Sequence, residues 1–151
     1  MRSKCSKELK EFNAIYRELD EMYHKIALQI GLSDSALRIF YYIAEFGDGC
    51  LQKEIAEYYF ISKKTIHSSI KNLESQGYLV LQKGKRRDMH VYLTQTGQEF
   101  VQEHIIPIFE FENDIFNAFS PKESRQLLQL IRKYVMVSRK KAQEKFQIYF
   151  D

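Results

Sequence analysis

A chain of 151 residues with 44% hydrophobic and 28% charged side chains suits one folding unit, or one protomer of an intertwined dimer. No apolar run approaches the ~20 residues of a spanning helix, and the basic start MRSKCSKELKEF lacks the apolar stretch of a signal peptide. Two cysteines, Cys5 and Cys50, make no disulfide framework, so a cytosolic protein is expected.

With only two Pro and six Gly, long helices are expected, and strand-like sequence is confined to one short hairpin. The first helix is expected over residues 7–30, where Leu9, Phe12, Tyr16, Leu19, Tyr23, Ile26 and Ile30 alternate spacings of three and four. Such a seam suits a dimer contact, or burial in the protomer's own core. Gly31-Leu32-Ser33 breaks this helix, and Ser33 caps a second over residues 34–46 that is expected to bury Leu37, Phe40, Tyr41 and Ala44. Gly47-Asp48-Gly49 reads as a turn, with Cys50 a small hydrophobe in it. A third helix starts near residue 51 and turns Ile55, Ala56 and Tyr59 inward. Glu54 stands where it would complete a capping box, but Leu51, at the cap position, has no oxygen to offer.

The fourth helix opens at Ser62, whose hydroxyl can accept a bond from a free N–H of the first turn. Ile66, Ile70 and Leu73 form one buried stripe, and Lys64, Ser68, Lys71 and Ser75 fall opposite it, flanked by Thr65 and His67. Gly77 supplies the left-handed residue that ends the helix. Residues 78–81 and 89–93 read as paired strands around Gln82-Lys83-Gly84-Lys85-Arg86-Arg87-Asp88, which is too charged to be buried. From Ser62 to His90 there are seven basic and two acidic residues, net +5, in a chain whose total is +3. A helix with a polar, basic, short-chained face suits a DNA major groove. An Arg-tipped hairpin suits phosphates or an adjacent minor groove.

After the hairpin, Thr94 caps a long helix over residues 95–119, which Pro107 is expected to kink rather than end, because the apolar run from Ile105 to Phe119 continues past it. That run covers more than one face, which calls for cover on several sides, and a second protomer is a natural source. Ser120-Pro121-Lys122-Glu123 opens the last helix, which carries Leu127, Leu128, Ile131, Tyr134, Val135, Ala142, Phe146 and Tyr149. Arg139-Lys140-Lys141 reads as a solvated face near its end.

The run ISKKTIHSSIKNLESQGYL, then a basic hairpin closing on VYLTQTG, resembles the MarR family of bacterial transcription regulators, whose pattern runs roughly SxxTVxxxVxxLExxGLV, a wing with Asp-x-Arg, then LTxxG. The flanking helices also fit, so the resemblance extends over nearly the whole chain. It implies one domain over residues 1–151, mainly α with a short β-hairpin. Residues 33–94 would form a winged helix-turn-helix, and residues 1–32 and 95–151 a helical dimerisation part. The implied activity is that of a homodimeric DNA-binding regulator, usually a repressor, that recognises a pseudo-palindromic operator in double-stranded DNA and is released by a small-molecule effector.

Lys64, Thr65, His67 and Ser68 are the expected base readers. Contact with phosphate or water is the alternative for each, since phosphate takes half to two-thirds of protein–DNA hydrogen bonds. Ser62, Lys63 and Lys71 are expected on phosphates. In the wing, Arg87 aligns with the family's Arg, with Arg86 and Lys85 second; Lys85 occupies the family's Asp position, and Asp88 stands nearby. The family places an effector pocket between reader head and dimer part, which Tyr16, Tyr23, Tyr41 and Tyr42 would line unless they are plain core.

His24, His67, His90 and His104 have no metal-ligand spacing, and no cofactor is expected. No nucleophile–base arrangement or Gly-rich phosphate loop suggests an enzyme. Two rival readings are a winged-helix protein-interaction module without DNA binding, against which the +5 segment speaks, and a regulator that senses oxidants through Cys5, which Cys5→Ser would expose.

Overall fold

Serine and threonine set most helix starts in the structure, a computed structural model that describes residues 5–85 and 88–150. Ser6 opens α1 (Lys7–Gln29), Ser33 opens α2 (Asp34–Phe46), Ser62 opens α4 (Lys63–Ser75), Thr94 opens α5 (Gln95–Phe100) and Ser120 opens α7 (Pro121–Phe146). In each case the side-chain oxygen accepts the N–H three residues on, at 3.0 to 3.3 Å. The exception is α3 (Gln52–Tyr58), whose cap position is Leu51. Half a capping box forms there: Leu51 N–H donates to Glu54 Oε2 at 2.8 Å, and no oxygen answers from the other side. Leu51→Thr supplies it from backbone already extended (φ −87, ψ 142). We expect Tm to rise by roughly 2 °C in a thermal melt; an unchanged or lower Tm would mean that the half-buried leucine contributes more by packing.

The chain divides into two compact units, Met1–Pro107 and Ile108–Asp151. In the first, Ile39, Phe40 and Ile43 of α2 and Ile66, Ile70 and Leu73 of α4 are buried. Phe40 stacks on Phe100 at 5.0 Å and meets Tyr78 edge-on at 5.8 Å. Ser35 and Ser69 join α2 to α4 through hydroxyls 2.7 Å apart. Tyr41, Ala44 and Tyr59, expected inside, are only half-buried, because the inward face of α2 is centred on Ala36, Ile39 and Ile43.

The expected hairpin is a three-stranded antiparallel sheet ordered β1-β3-β2. β2 (Leu79–Lys83) pairs with β3 (Met89–Leu93) from Leu79↔Leu93 to Lys83↔Met89. The added strand, β1 (Cys50–Leu51), pairs Cys50 with Val91 and Leu51 with His90, so Cys50 lies in a strand rather than a turn. Around it, Gly49 N–H donates to Val91 O at 2.9 Å, and Asp48 Oδ1 accepts Leu93 N–H at 2.9 Å.

The helix expected over residues 95–119 is three segments: α5, a π-helical stretch Val101–Ile105, and α6 (Ile106–Asn117). Pro107 explains the interruption. Its ring clashes with the carbonyl of Glu103 in regular α geometry and it donates no bond; just before it, Ile106 N–H reaches back five residues to Val101 O.

In the second unit α7 has the full expected start, Ser120 N–H and Oγ both on Glu123 Oε2 and Pro121 in the first turn. Many of its apolar residues are exposed, among them Ile131, Val135 and Met136, as are Ile115, Phe116 and Phe119 before it. The basic tail is solvated, with Lys141 on Glu144 at 2.9 Å and the Arg139 guanidinium over the Phe150 ring at 5.5 Å.

Candidate nucleic-acid interface

The α4 helix presents two chemically opposite faces. Ile66 and Ile70 are fully buried, while Ser62, Lys63, Lys64, Thr65, His67, Ser68 and Lys71 are all exposed. Isoleucines at a spacing of four pin the helix to α2 and α3 and so aim the polar face outward.

Several of those polar groups are already oriented. Ser62 Oγ accepts Thr65 N–H at 3.1 Å and lies 2.7 Å from Thr65 Oγ1, so the cap and the threonine hydroxyl hold one another. His67 Nδ1 is 3.0 Å from Gln52 Oε1, which ties the outer face of α4 to the first turn of α3. Lys71 Nζ lies 2.7 Å from Glu74 Oε2, and this hydrogen bond holds the Glu74 carboxyl below the usual carboxylate range. A phosphate clamp at Lys71 must therefore compete with Glu74. Lys63 and Lys64 have no carboxylate at ion-pair distance among the described residues, so their charge is available to a polyanion.

A groove runs beside the start of α4, lined by Gln52, Lys53, Lys63, Lys64 and His67 and, at the base of the wing, by Asp88 and Met89. Gln52 and Lys53 were not singled out in the sequence. The signal was available: both stand in the first turn of a helix that packs on α4. At the wing, Gly84 N–H donates to Asp88 O at 2.7 Å and Lys85 is exposed. Arg86 and Arg87 lie outside the described residues.

The four tyrosines expected at an effector pocket have different settings. Tyr16 is exposed on α1 beside Phe12, 6.2 Å between ring centres. Tyr23 and Tyr41 are half-buried. Tyr42 packs in an aromatic group with Phe46 (4.7 Å), Tyr58 (5.4 Å) and Tyr59 (6.4 Å), and burial, with Glu54 nearby, raises its phenol pKa.

Burial, reinforced by the Glu54 carboxylate, pushes the Cys50 thiol up to about 12. It is therefore a thiol rather than a thiolate at neutral pH. Iodoacetamide should label exposed Cys5 well before half-buried Cys50, whose labelling should speed up on unfolding, as read by peptide mass spectrometry; equal labelling rates would contradict the difference in setting.

Residues 30–88 match the family model described as MarR family. An uncharacterised HTH-type transcriptional regulator of Bacillus subtilis, YwoH, is 26% identical over 106 residues, 70% of this chain and 77% of its own length. Among solved structures, NMB1585, a MarR family regulator from Neisseria meningitidis, superposes with a TM-score of 0.76 at 24% identity, covering 92% of this chain and 99% of that one. MepR of Staphylococcus aureus in complex with DNA gives a TM-score of 0.70 at 18% identity, over 90% of this chain and all of that one. These likenesses establish the winged-helix fold, and the relatives are regulators rather than enzymes.

Proposed function

We infer that this chain, whose residues 30–88 match the MarR family model, is a winged helix-turn-helix transcription regulator of that family and works as a homodimer gripping a pseudo-palindromic site in double-stranded DNA. The observation that carries the reading is the face of α4: exposed, polar and basic from its capped first turn onward, on a helix fixed from behind by fully buried isoleucines. The α4 helix enters the major groove, Lys64, Thr65, His67 and Ser68 meet base edges, and Ser62 and Lys63 meet phosphate. The basic wing, with Lys85, Arg86 and Arg87, reaches the flanking backbone or minor groove.

Dimerisation is supported by the apolar residues that the single chain leaves exposed: Leu9, Phe12 and Leu19 in α1, Ile115 and Phe116 in α6, Ile131 and Val135 in α7. A bare apolar stripe on each of these helices suits contact with a second copy. The output is repression in the cytoplasm, relieved by a small molecule whose binding favours a head spacing that no longer fits successive major grooves. The aromatic side chains around Tyr42 are the candidate contacts for such a molecule.

Selection from a pool of short random duplexes, at several salt concentrations, tests this reading. Enrichment of an inverted repeat with half-sites about 34–36 Å apart, affinity that falls steeply with salt, and a sedimentation mass of two chains are expected. No binding even at low salt would overturn it in favour of a protein-interaction module.

A further inference from the structure

Three helices of this chain end in the same hydrogen-bonding motif. At α1, Gly31 N–H donates to Leu28 O and Leu32 N–H to Ala27 O. At α4, Gly77 N–H donates to Glu74 O and Tyr78 N–H to Leu73 O. At α3, Phe60 N–H donates to Glu57 O at 3.3 Å and Ile61 N–H to Ala56 O at 3.0 Å. The motif needs a left-handed residue just past the helix end, which is why glycine usually fills it. Gly31 and Gly77 obey, with φ of +76 and +82; the third position is Phe60, at φ +53.

A β-carbon is strained in that conformation, and packing would be the usual compensation. None is present among the described residues: Phe60 is 97% exposed. The other non-glycine residue with positive φ among those described, Gln147, is polar and closes the last helix near the chain end. Phe60 thus combines a disfavoured backbone with a solvent-exposed aromatic ring, two residues before the cap of α4. An observed strain of this kind, without internal compensation, points to an external use.

We propose that Phe60 is an apolar DNA contact, its ring lying on a deoxyribose or against a thymine methyl at the edge of the major groove that receives α4. The proposal rests on the DNA-binding reading above. The surroundings select DNA over a protein partner: the residues that follow, Ser62, Lys63 and Lys64, are exposed, and the two lysines have no carboxylate partners among the described residues. An exposed ring followed in the chain by two lysines without carboxylate partners among the described residues suits a surface that is anionic along its backbone and apolar at its sugars and thymine methyls.

The test compares native protein with Phe60→Gly, Phe60→Asn and Phe60→Tyr on the duplex selected by the native protein. Glycine relieves the backbone, and asparagine tolerates the left-handed region while keeping a side chain. Phe60→Gly should raise Tm by roughly 2–4 °C. Both Phe60→Gly and Phe60→Asn should bind the duplex about 10-fold more weakly at fixed salt, with the slope of log affinity against log salt unchanged, because no ionic contact is lost. Phe60→Tyr should keep the affinity to within about twofold, since the ring face is retained. Native affinity in the glycine and asparagine variants would overturn the contact while leaving DNA binding by the protein intact. A lowered Tm in both would overturn it in favour of a structural role. Failure of the native protein to bind any duplex would overturn both this contact and the function it rests on.

Discussion

Gly97→Ala should lower Tm by roughly 6–12 °C, corresponding to about 3 kcal/mol of lost stability. The reason is a backbone contact rather than an unusual φ. Gly97 is buried in the first turn of α5, and a β-carbon there would fall onto the carbonyl oxygen of Tyr78 and 3.2 Å from Leu93 Cδ2. That carbonyl is not free to retreat. It accepts Thr94 N–H at 3.0 Å and lies 3.1 Å from Thr94 Oγ1, which also donates to Gly77 O at 2.6 Å. Tyr78 is itself held by its own N–H on Leu73 O, and its ring packs against both Phe40 and Phe100. A methyl group at position 97 must therefore move the end of α4 or the start of α5, and either shift disturbs the buried face that aims the polar residues of α4. A calorimetric or circular-dichroism melt reads the effect; a Tm within 2 °C of native would show that the joint between α4, β3 and α5 gives way more easily than its hydrogen bonds suggest.

The same joint shows why parts of this fold were legible in the sequence and parts were not. Thr94 and Gly97 stand in register with the family pattern because one side chain caps α5, ties back to the end of α4, and requires a residue without a β-carbon three positions on. The α4 helix was legible because a capping serine, an apolar period and a terminating glycine agree with one another. By contrast β1 is two residues long, too short for any alternation to register, and exists through partners some forty positions away on β3. The end of α3 was hidden for the opposite reason: Phe60 occupies a position that glycine would have announced. In the candidate interface, the outward residues of α4 follow from helical period alone, whereas the tie between His67 and Gln52 depends on how α3 packs, which no local pattern encodes.

Lys64→Ala and Arg87→Ala should both weaken DNA binding, and the way each does so separates base reading from phosphate holding. Lys64 is exposed on the polar face of α4, one position past Lys63, with no carboxylate to neutralise it among the described residues. If its ammonium donates to guanine O6 or N7, removing it should reduce affinity for the selected site about 10-fold while changing binding to random duplexes by less than about twofold. Arg87 belongs to the basic run of the wing. If it neutralises a phosphate, its loss should weaken selected and random duplexes alike and reduce the salt slope by about one. The pair is informative because the two contacts differ in what the partner is. A base edge is particular to a sequence and carries no net charge, whereas a phosphate is present everywhere and releases a counterion when it is neutralised. Equal losses on both duplexes for Lys64→Ala would move that residue to the phosphate-contacting set, leaving Thr65, His67 and Ser68 to discriminate. An unchanged affinity and slope for Arg87→Ala would remove that residue from the wing's DNA contact and leave Lys85 and Arg86 as its candidates.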